Sequence, residues 1–145
     1  MDIKKHLDQI LFLNELIHCK LQQIKDLKSL LDISGIDYSK EKIKTNNNNA
    51  KFTSIINKIV DLENSLQDNI ISILDLQDEV KNIINLLDDR TEKLILYYKY
   101  LNLLSTYEIE EKLNISRTTF YKKYKNALKN IGKIEMNKTD YLSCK

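Results

Sequence analysis

Between Phe52 and Leu87 an apolar residue recurs at alternating steps of three and four: Phe52, Ile55, Ile59, Leu62, Leu66, Asn69, Ile73, Leu76, Val80, Ile83 and Leu87. Ten of these eleven positions are apolar. A strict 3.5-residue period places one continuous stripe on one side of a helix and needs a second helix to cover it, which is the pattern of a coiled coil. The spacing predicts a helix over 51–88. A similar stripe, Ile3, Leu7, Ile10, Asn14, Ile17, Leu21, Ile24, Lys28 and Leu31, predicts a helix over 3–33, closed by Ser34-Gly35 because glycine accepts the left-handed conformation at a helix end. With only 2 Gly and no Pro in 145 residues, little else breaks helices, and an all-α fold is expected. Residues 34–50, with the run Asn46–Asn49, read as a polar linker.

In antiparallel register Leu31 meets Phe52, Ile24 meets Ile59, Leu21 meets Leu62, Ile17 meets Leu66 and Ile3 meets Val80. The Asn14 and Asn69 interruptions then fall in one layer, where two amides satisfy each other far more cheaply than one amide facing leucine. This favours an antiparallel coiled-coil hairpin within one chain. A parallel dimer also pairs each Asn with its own copy. Ile56, Ile70 and Ile84 widen the second stripe and call for a further partner, either another helix or a second subunit.

Charge is uneven along the chain. Residues 1–90 hold 12 Lys/Arg and 15 Asp/Glu, a balance of −3, and residues 91–145 hold 11 and 6, a balance of +5, against +2 for the whole. From Arg117 to Lys133 there are six basic residues and no acid, and such a segment attracts phosphate. Cys19 and Cys144 have no neighbouring cysteine, so neither a zinc site nor a disulfide framework is expected. His6 and His18 lack metal-ligand spacing. No phosphate-binding glycine loop and no nucleophile paired with a base is evident, so no cofactor, metal or enzymatic activity is expected. No stretch is apolar enough for a signal peptide or a membrane span, which fits a cytoplasmic protein.

The remaining signals cluster after Leu87. Asp89-Arg90-Thr91-Glu92 and Ser105-Thr106-Tyr107-Glu108 both have the spacing of a capping box. The second opens a short helix over 106–113. Asn114-Ile115-Ser116 follows as a tight turn: Asn tolerates positive φ, Ile115 is its small apolar plug, and Ser116 caps the next helix, 117–131, which Gly132 ends. Short helix, tight turn and basic helix form the helix-turn-helix layout. Ile109, Leu113, Phe120, Tyr124, Ala127 or Leu128, and Ile131 make the inner stripe. Arg117, Thr118, Tyr121 and Lys122 then face base edges or nearby phosphates, and Lys125 and Lys129 the backbone of double-stranded DNA. An Arg paired bidentately with guanine discriminates by roughly 1–3 kcal/mol, whereas Lys–phosphate contacts add affinity without sequence information.

At Leu94–Leu101, Thr106–Phe120 and Ala127-Leu128 the sequence resembles the fourth region of sigma-70-type factors. With Ile59–Glu63 and the N-terminal helices included, it is similar to the ArpU and RinA late-gene regulators of phages and prophages of Gram-positive bacteria. The resemblance implies an N-terminal helical hairpin arm (1–88), a sigma-region-4-like DNA-binding domain (89–132) and a tail (133–145). It also implies transcriptional control of phage genes in a bacterial host, alone or through RNA polymerase, with the arm available for homodimerisation. Glu110, where such motifs carry Ala, Asn114, where they often carry Gly, and Lys99-Tyr100 in place of Arg-Tyr depart from the pattern. Glu110 there calls for an exposed carboxylate. Two other functions fit helices of this kind: a DNA-packaging subunit like the small subunit of a phage terminase, and a coiled-coil interaction protein that does not touch DNA.

Overall fold

A computed structural model of the chain describes the backbone of residues 2–33 and 45–143, and side chains over 2–32 and 49–138. Among the described residues there are five helices and no strand: α1 (Ile3–Ile33), α2 (Thr45–Ile84), α3 (Arg90–Leu96), α4 (Thr106–Leu113) and α5 (Arg117–Ser143). A π-helical turn, Tyr97–Leu101, extends α3. None of the described helices is long and apolar enough to cross a membrane. The expected stop at Ser34-Gly35, the linker over 34–44 and Cys144 lie outside the described residues. The Asn46–Asn49 run belongs to the first turns of α2 rather than to a linker.

The chain divides into two compact units, Glu15–Ser72 and a second made of Met1–Asn14 with Ile73–Lys145. In the first unit Ile24, Ile59 and Leu66 are buried, and Ile17, Leu27, Leu31, Ile55 and Leu62 pack against them. The two helix segments run antiparallel: the Lys20 ammonium donates to Ser65 Oγ at 2.6 Å and to Asn69 Oδ1, and Lys28 pairs with Glu63 at 3.7 Å.

The inner stripe of α1 differs from the expected one by a residue at three places, the first being Leu13, which is buried in place of the expected Asn14. Leu21 is 47% exposed and Lys28 is exposed, while Lys20 and Leu27 turn inward. Residues 17, 24 and 31 are common to both stripes, and the position between them can fall on either side of the line. Choosing 20 and 27 spares Lys28, whose charge is costly to bury, and gains Leu27. The accompanying penalty is an inward Lys20, which is tolerable because its long stem packs while its head reaches two oxygens. Asn69, expected in an amide layer, accepts from Lys20 instead.

In the second unit α1 contributes Ile3, Leu7, Ile10 and Leu13, and α2 contributes Ile73, Val80, Ile83 and Ile84, all buried. Gln77 Nε2 donates to the carbonyl of Tyr100 at 2.8 Å, tying α2 to the π-helical turn. α2 ends four residues before the expected 88, where Leu86 and Leu87 bond back three residues in a tightened last turn. Asp89 then caps α3, its Oδ1 accepting from Thr91 N at 2.8 Å and Glu92 N at 3.1 Å. Only this half of the expected capping box forms. The Glu92 carboxylate is buried and accepts from Asn130 Nδ2 of α5 at 2.9 Å.

The largest departure is in α5, which does not end at Gly132 but continues to Ser143. Glycine ends a helix only when the next residues have no reason to continue it. Here Ile131 is buried, Ile134 is half-buried, and Glu135 accepts the Ile3 amide with both carboxylate oxygens at 3.0 Å. That carboxylate satisfies a donor at the first turn of α1, where the helix dipole also favours negative charge. Gly132 is therefore a helix-interior glycine, and a Cβ added there meets nothing within 4 Å. Gly132→Ala is expected to raise unfolding stability by about 1 kcal/mol in urea or thermal titrations, the helix-interior difference between the two residues. A decrease of similar size would instead show that Gly132 ends the helix.

Candidate nucleic-acid interface

Short-range chemistry sets the path from α4 to α5. Ser105 Oγ accepts from Glu108 N at 3.2 Å while Ser105 N donates to Glu108 Oε2 at 3.3 Å, a complete capping box. α4 ends at Asn114, whose φ of 53° and ψ of 50° are left-handed. The Ile115 amide bonds back to the Glu110 carbonyl at 3.1 Å. Ser116 starts α5, its Oγ accepting from Thr119 N at 3.2 Å. Each junction uses the residue type that its backbone geometry prefers.

Packing fixes how α5 is rolled about its axis. Ile95, Ile109 and Phe120 are fully buried in one cluster, with Tyr98, Leu104, Leu113, Ile115 and Tyr124 against it. Tyr124 stacks on Phe120 at 5.7 Å between centroids and 8° between planes. Its hydroxyl bonds that of Tyr100, and the Lys99 ammonium lies 4.8 Å from its ring centre. Burial pushes the Tyr100 and Tyr124 hydroxyls up from their ordinary range and Lys99 down from its own. Ala127 and Ile131, also fully buried, continue the inner stripe of α5.

All six residues expected on the outer face, Arg117, Thr118, Tyr121, Lys122, Lys125 and Lys129, are exposed. At 100° per residue they fall within an arc of about 140° on one side of the helix. Lys133 is exposed as well and extends the basic face beyond the expected end of the helix. Lys123 does not belong to this face: its Nζ reaches Asp89 Oδ2 at 3.2 Å and secures α5 to the start of α3.

One acidic group meets the edge of the basic surface. Arg117 Nε donates to Glu110 Oε1 at 3.3 Å, and the two side chains are 69% and 12% exposed. The exposed carboxylate expected at Glu110 is thus half-buried and paired. The signal was its place seven residues before an arginine across a left-handed turn, a juxtaposition that helical periodicity alone does not reveal.

Fold and surface together define a class: an all-helical protein in which a capped short helix and a tight turn present a longer helix, apolar inside and basic outside. More particularly, the chain belongs to the family described as "Protein of unknown function (DUF1492)", whose model matches residues 32–132. The matched span includes α3, α4 and all six residues expected on the outer face of α5. Neither a curated protein nor a solved structure matches the chain.

Asp89 joins two duties, capping α3 and holding Lys123, and these hydrogen bonds and the ammonium hold its carboxyl below the ordinary 3.8. A carboxyl lowered by folding stabilises above its unfolded value, and the contribution disappears as pH falls through the lower folded value. The wild type is therefore expected to lose more stability than Asp89→Asn as pH is taken below about 4 in a thermal-unfolding series. At neutral pH Asp89→Ala is expected to cost about 1 kcal/mol, the usual effect of removing an N-cap.

Proposed function

We propose that this protein binds double-stranded DNA, with α4 and α5 acting as a helix-turn-helix and the first half of α5 lying in the major groove. One observation carries the reading. The core fixes α5 so that Arg117, Thr118, Tyr121, Lys122, Lys125 and Lys129 all face solvent. An α-helix fits the major groove, and cations along its outer face neutralise phosphates and release their counterions. In this reading Arg117, Thr118, Tyr121 and Lys122 face base edges or nearby phosphates, and Lys125 and Lys129 supply backbone contacts that carry no sequence information. The resemblance to phage late-gene regulators extends the proposal to transcriptional control of phage or prophage genes. There α1 and α2 serve as an antiparallel coiled-coil arm that pairs with a second copy.

The surface itself is the test. Lys122→Ala combined with Lys125→Ala is expected to weaken duplex binding in gel-shift titrations. It should also lower the slope of log affinity against log salt by roughly 2, one for each phosphate that is no longer neutralised. The thermal midpoint should not move, because both side chains are exposed. Affinity and salt slope equal to those of the wild type rule this face out as the DNA-binding surface.

A further inference from the structure

Glu110 brings a carboxylate to the rim of a cationic surface, where it opposes affinity for any polyanion. The Glu110 side chain is 12% exposed but its partner Arg117 is 69% exposed, and an ion pair with one side so open to water contributes little to folding. The geometry suggests another use. The bond at 3.3 Å engages Arg117 Nε, one edge of the planar guanidinium, and leaves its two terminal nitrogens as a fork that makes no hydrogen bond among the described residues. That fork is the part of an arginine that pairs with guanine O6 and N7. The pair as a whole carries no net charge, so it adds no counterion release on phosphate.

We infer that Glu110 is a positioning and specificity-determining residue: it holds the Arg117 fork toward a base edge and removes Arg117 from non-specific attraction to the backbone. This role rests on the DNA-binding reading proposed above. Two consequences separate it from a structural role. Removing the carboxylate should make binding to unrelated DNA tighter, not weaker, because a negative charge leaves the surface. It should also erode discrimination at a single base pair, the one that Arg117 reads, and at no other.

The experiment uses the full chain, a duplex recovered by selection from random DNA, its single-base variants and an unrelated duplex. Glu110→Ala is expected to reduce discrimination at one base pair about tenfold. It should also tighten binding to the unrelated duplex and steepen the salt slope by about one. Glu110→Gln, which keeps an oxygen for Nε but no charge, should show the same steepening while retaining part of the discrimination. In an Arg117→Ala background neither substitution should alter discrimination further. Thermal midpoints of all variants are measured alongside, and Glu110→Gln, the more conservative change, carries the test if Glu110→Ala is destabilised. Unchanged discrimination in both Glu110 variants, or an equal reduction in the Arg117→Ala background, overturns the inference while leaving DNA binding intact. A wild type with no salt-dependent retention on any duplex overturns the DNA reading, and this role with it.

Discussion

The burial of Phe120 between Ile95 and Ile109 decides which side of α5 water meets. Full burial of such a ring contributes roughly 1.5–3 kcal/mol, and emptying the site costs more because a cavity remains. No exposed lysine pair on the same helix approaches that magnitude. The roll of α5 is therefore set from inside, by Phe120, Tyr124, Ala127 and Ile131, and the cations occupy whatever angle that packing leaves them. Ser116 and Asn114 refine the arrangement by fixing where the helix starts, so the axis and the roll have separate local causes.

Two of the basic residues on α5 meet carboxylates, and the two pairings differ in kind. Lys123 lies toward the inner side, reaches Asp89 at 3.2 Å and joins two helices. Arg117 lies at the outer edge and meets a carboxylate from the preceding helix while most of its side chain stays in water. A run of like charge along a sequence is thus divided by the helix into a bracing residue, a restrained rim residue and a free face. Counting charges over 117–133 gives the attraction to phosphate but not this division.

Much of the helical layout was legible from residue spacing. The start of α1, the full capping box at Ser105, the left-handed Asn114 and the outer face of α5 all rest on interactions within a few residues. Local periodicity and capping chemistry encode such features directly. What differed depends on partners distant in sequence. Asn130 draws the Glu92 carboxylate away from its own cap, and Ser65 with Asn69 makes an inward Lys20 tolerable. Glu135 rewards continuation of α5 through Gly132, whose local preference is to stop. In each case a polar side chain found its partner on another helix, and no window of seven residues contains that information.

The amide of Ile3 held by Glu135 bears on where this molecule can be cut. The family model matches residues 32–132, and both halves of that hydrogen-bonded pair lie beyond it, as do the buried Ile3, Leu7, Ile10 and Leu13. The segment by which the protein is classified is therefore smaller than the segment that closes its own core. Trimming to the classified boundaries would remove four buried apolar residues from the compact unit that also holds Val80, Ile83 and Ile84, so the recognisable region and the compact unit are different objects in this chain.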